Sequence, residues 1–344
     1  MRVTIKDVAR EAGVAVSTVS RVMNDSGPVS PQTRSRIQTV AETLGYVPND
    51  AARSLITNKT STLGVLLPDL YGEFYSEVMR GIDQAARRNR YHMLVSNSHN
   101  DRNEIAKALR AMQGRVDGLI IMSPDIDAQA LKANLPASQP VVLLNCFVDG
   151  CAFDSLNVDN YGGAYAMVRH LIGLGHRLIA LFKGDAGNYD AQERLRGYRS
   201  ALRDGGLAWS ASLEYEGDFR EGSGYEAARK LAGQAPRPTA VFASNDAMAV
   251  GAISAFRQEG LQVPADIAVV GFDDIPIARY MSPPLTSVHV PISELGARAV
   301  ERLFVALREK NQQVRKQELL PTSLVVRGSC GAVKGASADT THFR

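Results

Sequence analysis

The sequence predicts a small all-α helix-turn-helix head, a short connecting helix, and an α/β sensor made of two lobes, each a doubly wound parallel sheet. Three observations predict it. Capping residues and a turn glycine in the first 59 residues have helix-turn-helix spacing. From Leu63 onward, short Val/Ile/Leu runs alternate with amphipathic segments, the pattern of parallel strands covered on both faces. That alternation then repeats, which fits two lobes with a ligand cleft beyond the carboxyl ends of their strands.

In the head, Thr4 followed by Asp7 forms a capping box, so a first helix begins near Ile5. Val8, Ala9 and Ala12 supply its apolar side, and Gly13 permits the turn. A second helix covers about Val16–Asn24, with Val19, Val22 and Met23 on one face and Ser17, Ser20 and Arg21 on another. Spacing alone leaves two readings open, a DNA-reading pair or an ordinary αα-hairpin. Ser30-Pro31 caps a third helix that runs to about Leu44 and ends at Gly45. The Tyr46–Asn49 stretch is extended before Pro48. Asn49 then caps a short segment of good helix formers, Asp50–Ile56, and a polar linker follows.

The sensor begins with the strand run Leu63–Leu67, closed by Pro68. Helix, strand, helix and strand follow at Glu73–Asn89, His92–Ser96, Arg102–Gly114 and Gly118–Met122, then a helix at Asp127–Ala133 and a strand at Val141–Leu144. The second unit has helices at Gly162–Leu174, Asp190–Asp204, Gly224–Ala232 and Met248–Glu259. Its strands are Leu178–Lys183, Ala240–Ala243 and Ala268–Phe272. The polar end, residues 329–344, lacks heptads and is expected to be disordered.

Bulk properties narrow the function classes. The chain has 344 residues, 45% hydrophobic and 22% charged, values of an ordinary globular protein. Its first 59 residues carry eight Lys/Arg and five Asp/Glu, so the whole formal excess of +3 sits on the head, as attraction to phosphates requires. The excess is small, which implies weak, salt-sensitive binding by a single head. No signal peptide or membrane-length apolar run is expected. The three cysteines, Cys146, Cys151 and Cys330, lack zinc spacing and fit free thiols in a reducing cytoplasm, which makes the sequons at Asn24 and Asn58 chance matches.

The blocks TIKDVAREAGVAVSTVSRVMN (from Thr4), VSPQTR, LGYVPNDAARSL, SNDAMAVGA and VVGFDD stand in this order along the chain. In them it resembles the lactose/galactose repressor family of bacterial transcriptional regulators, over nearly its whole length to about Gly328. The resemblance implies a helix-turn-helix domain at 1–48, a hinge helix and linker at 49–61, and a periplasmic-binding-protein-like sensor at 62–328. In that family the chain crosses between lobes three times. The crossings are expected near Val158–Tyr161, His289–Pro291 and Leu320–Ser323. Lobe 1 is then about 62–159 with 291–320, and lobe 2 about 160–290 with 321–328. The leucine-rich tail that makes some members tetramers is absent, which favours a homodimer.

On the DNA side the resemblance implies that Ala15, Val16 and Ser17 face base edges, with Arg21 one turn on as a bidentate guanine reader. Thr4, Thr18, Ser20, Asn24, Ser30 and Thr33 complete the expected DNA face. Val16 is open to two readings, thymine-methyl contact or core. Ala15 departs from the family's usual serine, so either Ser17 caps the second helix or a phosphate contact is weakened. The hinge is too short to be stable alone and is expected to fold on operator DNA beside its dimer mate. Asn49, Ala52 and Arg53 lie there, and Leu55 resembles the wedge inserted from the minor groove.

The expected effector cleft comprises Asp69, Tyr71, Phe74, Asn145, Arg194, Phe219, Asn245 and Asp273, at or near strand ends. Carboxylates, amides and an arginine fork onto hydroxyls, and aromatic rings cover the apolar face of a sugar. By resemblance, Arg194, Asn245 and Asp273 match effector-contacting positions and Phe219 an aromatic wall. Asn145 stands where some sugar-binding members have aspartate. Structural roles are open to the same residue types: a cap for Asp69, caps or lobe packing for Asp246 and Asp274, a surface ion pair for Arg194.

Enzymatic readings fare poorly. Gly222-Ser223-Gly224 with Ala227 mimics a dinucleotide fingerprint but follows a charged loop, Glu214–Glu221. His170 and His176 flank a helix end, where the dipole favours them. No cofactor or metal is expected. The resulting expectation is a bacterial, cytoplasmic, nucleoid-associated repressor of carbohydrate-use genes, released from a palindromic operator by a mono- or oligosaccharide. Alternatives are a corepressor-dependent repressor with a purine-like or sugar-phosphate ligand, a dual activator/repressor, and a sugar binder without regulation.

Overall fold

The computed structural model describes residues 3–47, 59–99, 101–123, 126, 128–136, 138–146, 153–308 and 316–332. The chain divides into two units, Met1–Thr60 and Ser61–Arg344. Asn49, Ala52, Arg53 and Leu55, and with them the hinge helix, lie outside the described residues.

The first unit holds α1 (Ile5–Glu11), α2 (Val16–Met23) and α3 (Pro31–Thr43). They close over Val8, Ala9, Ala12, Val19, Val22, Ile37 and Ala41. At the start of α1, the Thr4 amide and hydroxyl both donate to Asp7 Oδ2, at 3.0 and 2.7 Å. These bonds hold the Asp7 carboxyl below the usual carboxylate range. Gly13 makes the α1–α2 turn at φ +62, a conformation costly for any residue with a Cβ. Ser30 accepts from the Thr33 amide at 3.3 Å and places Pro31 at the first position of α3.

The second unit is built on two six-stranded sheets. Its strands are β1 (Thr62–Leu67), β2 (His92–Asn97), β3 (Gly118–Ile121), β4 (Val141–Leu144), β5 (Asp154–Val158), β6 (Ile179–Phe182), β7 (Glu214–Tyr215), β8 (Ala240–Ala243), β9 (Ala268–Asp273), β10 (Thr286–His289), β11 (Gln317–Leu320) and β12 (Ser323–Val325). The first sheet has the order β11-β5-β4-β3-β1-β2, all parallel. The second has the order β12-β10-β9-β8-β6-β7, parallel except for the antiparallel β10–β12 pair. Packed on them are α4 (Glu73–Arg88), α5 (Arg102–Met112), α6 (Ala128–Asn134), α7 (Asn160–Gly173), α8 (Tyr189–Asp204), α9 (Glu221–Ala232), α10 (Asp246–Gln258) and α11 (Ile292–Arg308).

The chain passes from first sheet to second between β5 and α7, back between β10 and α11, and over again between β11 and β12. One apolar core follows it, because Val158, Val288, Val290, Ile292 and Leu320 belong to a single buried cluster with residues of both sheets. Where α9 crosses α10 the backbones nearly touch. A Cβ on Gly224 would stand 2.1 Å from the Met248 carbonyl oxygen, and one on Gly251 1.9 Å from that of Glu221. The Gly222-Ser223-Gly224 stretch therefore serves helix packing at Gly224, inside α9. The segment before it is not wholly a loop, since Glu214 and Tyr215 form edge strand β7.

The expected disorder from residue 329 onward is corrected at its start. Gly328–Cys330 forms a 3₁₀ turn, and Ser329 and Cys330 are buried. The Ser329 hydroxyl donates to the Val269 carbonyl at 2.6 Å and accepts from the Thr286 amide at 2.8 Å. Cys330 Sγ lies 3.5 Å from His170 Nε2. These bonds satisfy polar groups that a free tail would leave exposed or orphaned. Residues 333–344 lie outside the described residues. Burial lowers the pKa of both His170 and His176.

Candidate ligand cleft and nucleic-acid face

On the first unit, α2 presents a polar face. Ala15, Val16, Ser17, Arg21 and Asn24 are exposed, and Thr18 and Ser20 are half-buried. Val16 is 41% exposed, which removes it from the core. Ala15 is the N-cap of α2 and offers no side-chain bond, so Ser17 has not taken over as cap. The helix consequently starts with amide donors that a serine would have satisfied. Arg21 projects from the last turn of α2. Ser30 and Thr33 bond each other at 2.9 Å, and Asn24 donates to the Ser20 hydroxyl at 3.2 Å. Thr4 is exposed but engaged with Asp7.

In the second unit, a cavity of about 530 Å³ lies where the two sheets' carboxyl ends face each other. Seven of the eight expected residues line it: Asp69, Tyr71, Phe74, Arg194, Phe219, Asn245 and Asp273. Asn145 does not. It ends β4 at φ +44, buried, its amide nitrogen in the backbone donating to the Leu156 carbonyl at 3.0 Å. Its side chain is enclosed in the first lobe with Oδ1 unpaired.

Arg194 organises the floor. It is 4% exposed and its guanidinium makes three bonds: Nε donates to Asn160 Oδ1 at 2.8 Å, one terminal nitrogen to the Ser244 carbonyl, and the other to Asp273 Oδ1 at 3.3 Å. Its plane lies 3.7 Å from the Phe272 ring centre and 5.7 Å from that of Phe219. Asn160 in turn donates to Asp190 Oδ1 at 2.8 Å. Burial pushes the Asp273 carboxyl up to about 7, against the opposing pull of Arg194. Burial likewise pushes Asp190 up to about 6, opposed by Arg194 and the Asn160 bond.

Asn245 both lines the cavity and acts as a strut. Its Oδ1 caps α10 by accepting from the Met248 amide at 3.0 Å, and its Nδ2 donates to the Phe219 carbonyl at 2.9 Å. Asp246 is fully buried below it, accepting from Ser287 Oγ at 2.6 Å and the Ile275 amide at 2.9 Å. Burial, then the neighbouring Asp273 charge, raises the Asp246 pKa well above the carboxylate range. Asp274 pairs with Arg327 at 2.6 Å and His289 at 2.9 Å, away from the cavity. Both aspartates are thus packing groups. Phe219, Asp273 and Asp274 all have positive φ, so strained backbone gathers at these strand ends.

The rim carries three ties between lobes. Arg220 reaches Asp69 at 2.7 Å, the Tyr71 hydroxyl donates to Glu221 at 3.3 Å, and the Ile277 amide donates to Glu73 at 2.9 Å. Asp69 also closes its own turn, accepting from the Leu70 and Tyr71 amides. Tyr75, Asp190, Asn160 and Arg220 were not among the expected site residues. Tyr75 sits in the wall beside Phe74, and burial followed by the charges of Asp69, Asp273 and Asp190 raises its hydroxyl pKa. Its place next to Phe74 was the only sequence signal for it.

Comparison with known proteins decides the family. Residues 4–49 match the model of bacterial regulatory proteins, lacI family, and residues 168–330 that of a periplasmic binding protein-like domain. The chain is 36% identical to the ribose operon repressor of Haemophilus influenzae over 94% of its own length and 97% of that protein. The chain belongs to the lacI family of bacterial regulatory proteins. This lacI-family chain is also 36% identical to the transcriptional repressor PurR of Aliivibrio fischeri, over 95% and 98% of the two chains. Its structure matches that of the Lac repressor dimer bound to operator and the anti-inducer ONPF with a TM-score of 0.86, at 32% identity, over 96% of this chain and all of the other. The family is one of transcriptional regulators, not enzymes.

Proposed function

We propose that this protein is a homodimeric repressor whose α2 helices read the two halves of a palindromic operator, and whose cleft binds a sugar that releases it. Arg21 reads guanine, Val16 meets a thymine methyl, and the exposed Ser17 faces base edges beside it. Thr4, Ala15, Thr18, Ser20, Asn24, Ser30 and Thr33 flank them at the DNA surface. The hinge residues Asn49, Ala52, Arg53 and Leu55 fold on the operator, with Leu55 as the minor-groove wedge. The protein works in the cytoplasm, on the nucleoid.

The observation that carries the ligand assignment is the charge of the cavity lining. It holds seven carboxylates and two arginines, and each arginine is already paired, Arg194 with Asp273 and Arg220 with Asp69. A phosphorylated ligand would therefore meet excess negative charge and no uncommitted cation among the described lining residues. A neutral polyol suits it: its hydroxyls donate to Asp190 and Asp273, and Phe74 and Phe219 cover an apolar ring face. The likeness to ribose operon repressors makes D-ribose the first candidate. PurR among the relatives keeps a purine corepressor as the second reading.

Operator retardation with D-ribose, other mono- and disaccharides, their phosphates and nucleobases tests this reading. Release by a neutral sugar is expected. Tightening of the complex by any of these ligands overturns induction, and a preference for the phosphate esters overturns the cavity argument.

A further inference from the structure

We propose that Asn160 couples the cleft to the passages between lobes, acting as a positioning residue for Arg194. The inference rests on the ligand-responsive reading above. Asn160 is 2% exposed and opens α7, immediately after β5 delivers the chain from the first sheet. Its side-chain amide makes three bonds in three directions. Oδ1 accepts from Arg194 Nε at 2.8 Å, while Nδ2 donates to Asp190 Oδ1 at 2.8 Å and to the Val158 carbonyl at 3.2 Å. One amide thus joins two cleft side chains to the last residue of a first-lobe strand.

The neighbouring passages join the same network. The Asp159 amide donates to the Leu320 carbonyl at 3.0 Å, and Thr322 Oγ1 donates to the Asp159 carbonyl at 3.4 Å, so the first and third passages run side by side. The Asp273 carbonyl accepts from the Val290 amide at 3.3 Å in the second passage, while its carboxylate holds Arg194. Through Asn160 and Asp273, the guanidinium of Arg194 is tied to all three. A ligand that draws Arg194 or Asp190 toward itself pulls on Asn160, whose bond to the Val158 carbonyl lies at the pivot. The Val158 carbonyl and the ionised Asp190 carboxylate are acceptors, so both bonds require the Nδ2 donor.

Two variants of the full-length protein test this, with D-ribose as the probe. Asn160→Ala removes all three bonds. Asn160→Asp keeps the acceptor for Arg194 but loses the donor to Asp190 and Val158, and sets a second carboxylate beside Asp190. The readouts are the dissociation constant for D-ribose and the ratio of operator affinities without and with saturating D-ribose. In the parent protein that ratio is expected within the roughly 5–150-fold span of allosteric coupling. In both variants it falls to about threefold or less, while ligand-free operator affinity stays within about threefold of the parent. Weaker ribose binding with the saturated ratio intact would overturn the proposal, because Asn160 would then serve binding alone.

A ligand-free arm keeps the test independent of ribose. Amide exchange at Asp159 and Val290 is expected to accelerate about tenfold in both Asn160→Ala and Arg194→Ala, and no further in the double variant. Additive acceleration would overturn the proposal. Failure of D-ribose to bind, with non-additive exchange preserved, would count against the ribose assignment and for Asn160.

Discussion

Replacing Arg194 by methionine isolates the guanidinium while keeping most of the side-chain stem. In the Arg194–Asp273 pair the side chains are 5% and 6% exposed, so removal strands a buried carboxylate and frees the acceptors on Asn160 and Ser244. Breaking a buried pair in this way costs about 3–5 kcal/mol. Asp273 has one escape, which is to take up a proton. Its pKa is already about 7 with the arginine present, and loss of the arginine raises it further. Below pH 7 the carboxyl is mostly neutral in both proteins and the difference between them is constant. Above pH 7 the parent gains from ionising against Arg194 while the variant does not. At about 1.4 kcal/mol per pH unit, the penalty should grow by about 2 kcal/mol between pH 7 and 8.5. Urea unfolding followed by Trp209, the single tryptophan, reads it within the second unit. A penalty that does not change with pH, or one below about 1 kcal/mol, would refute this reasoning.

Three further outcomes are expected. Asp273 and Asp190 have folded pKa values above the ordinary carboxylate value, so at these two groups the folded protein holds more protons than the unfolded chain. Their contribution is fully present below about pH 4 and is lost as pH rises through 6 to 7; Asp273→Asn should flatten that decline in a melting-temperature series. In the head, Ala15→Ser supplies the missing cap of α2 and should stabilise residues 1–60 by about 1 kcal/mol in thermal unfolding, with no gain counting against the cap assignment. On α9 and α10 two glycines should respond oppositely. Gly251→Ala drives a Cβ into the Glu221 carbonyl and should cost about 1–3 kcal/mol. Gly222→Ala meets nothing within 4 Å and should gain about 0.5–1 kcal/mol from helix propensity. Equal effects in denaturant titrations would refute the crossing geometry.

What the sequence made legible follows a physical divide. Strands β8 and β9 are short apolar runs buried along their whole length, and such runs announce themselves. β5 does not: Asp154 and Ser155 are buried polar residues, and Asp154 is tolerated because it accepts from the Lys316 amide at 2.8 Å, a partner 162 residues away. β7 is two residues long and gains its strand character from pairing with β6. By contrast α11 was within reach, since Ile292, Leu295, Ala299, Val300, Leu303 and Phe304 follow the helical period. At the cavity, Asp273 could be expected from strand-end logic, and Arg194, inside α8, only from its likeness to a family position. Asp190 and Asn160 could not, because a contact across 30 residues leaves no local pattern. Asn145 shows the limit of the strand-end rule, since its left-handed backbone turns with the chain and the side chain ends up enclosed.

The contrast between floor and rim explains how a small ligand can govern a protein of this size. The floor is buried and heavily bonded, so it changes little without a large cost. The rim ties are of another kind. Arg220 and Asp69 are 60% and 30% exposed, and such pairs contribute about 0–1 kcal/mol. The Tyr71–Glu221 bond is long at 3.3 Å, and the Ile277–Glu73 bond is likewise exposed to solvent. Together they hold the cleft rim with on the order of 1–4 kcal/mol, at roughly 0.5–1.5 per hydrogen bond, beside the shared apolar core at the passages. That is the size of a typical allosteric coupling energy, about 1–3 kcal/mol. A ligand that makes two or three hydroxyl bonds across the cleft therefore matches the rim in strength. The lobes can be rearranged by ligand binding while each lobe's own sheet and helices stay intact.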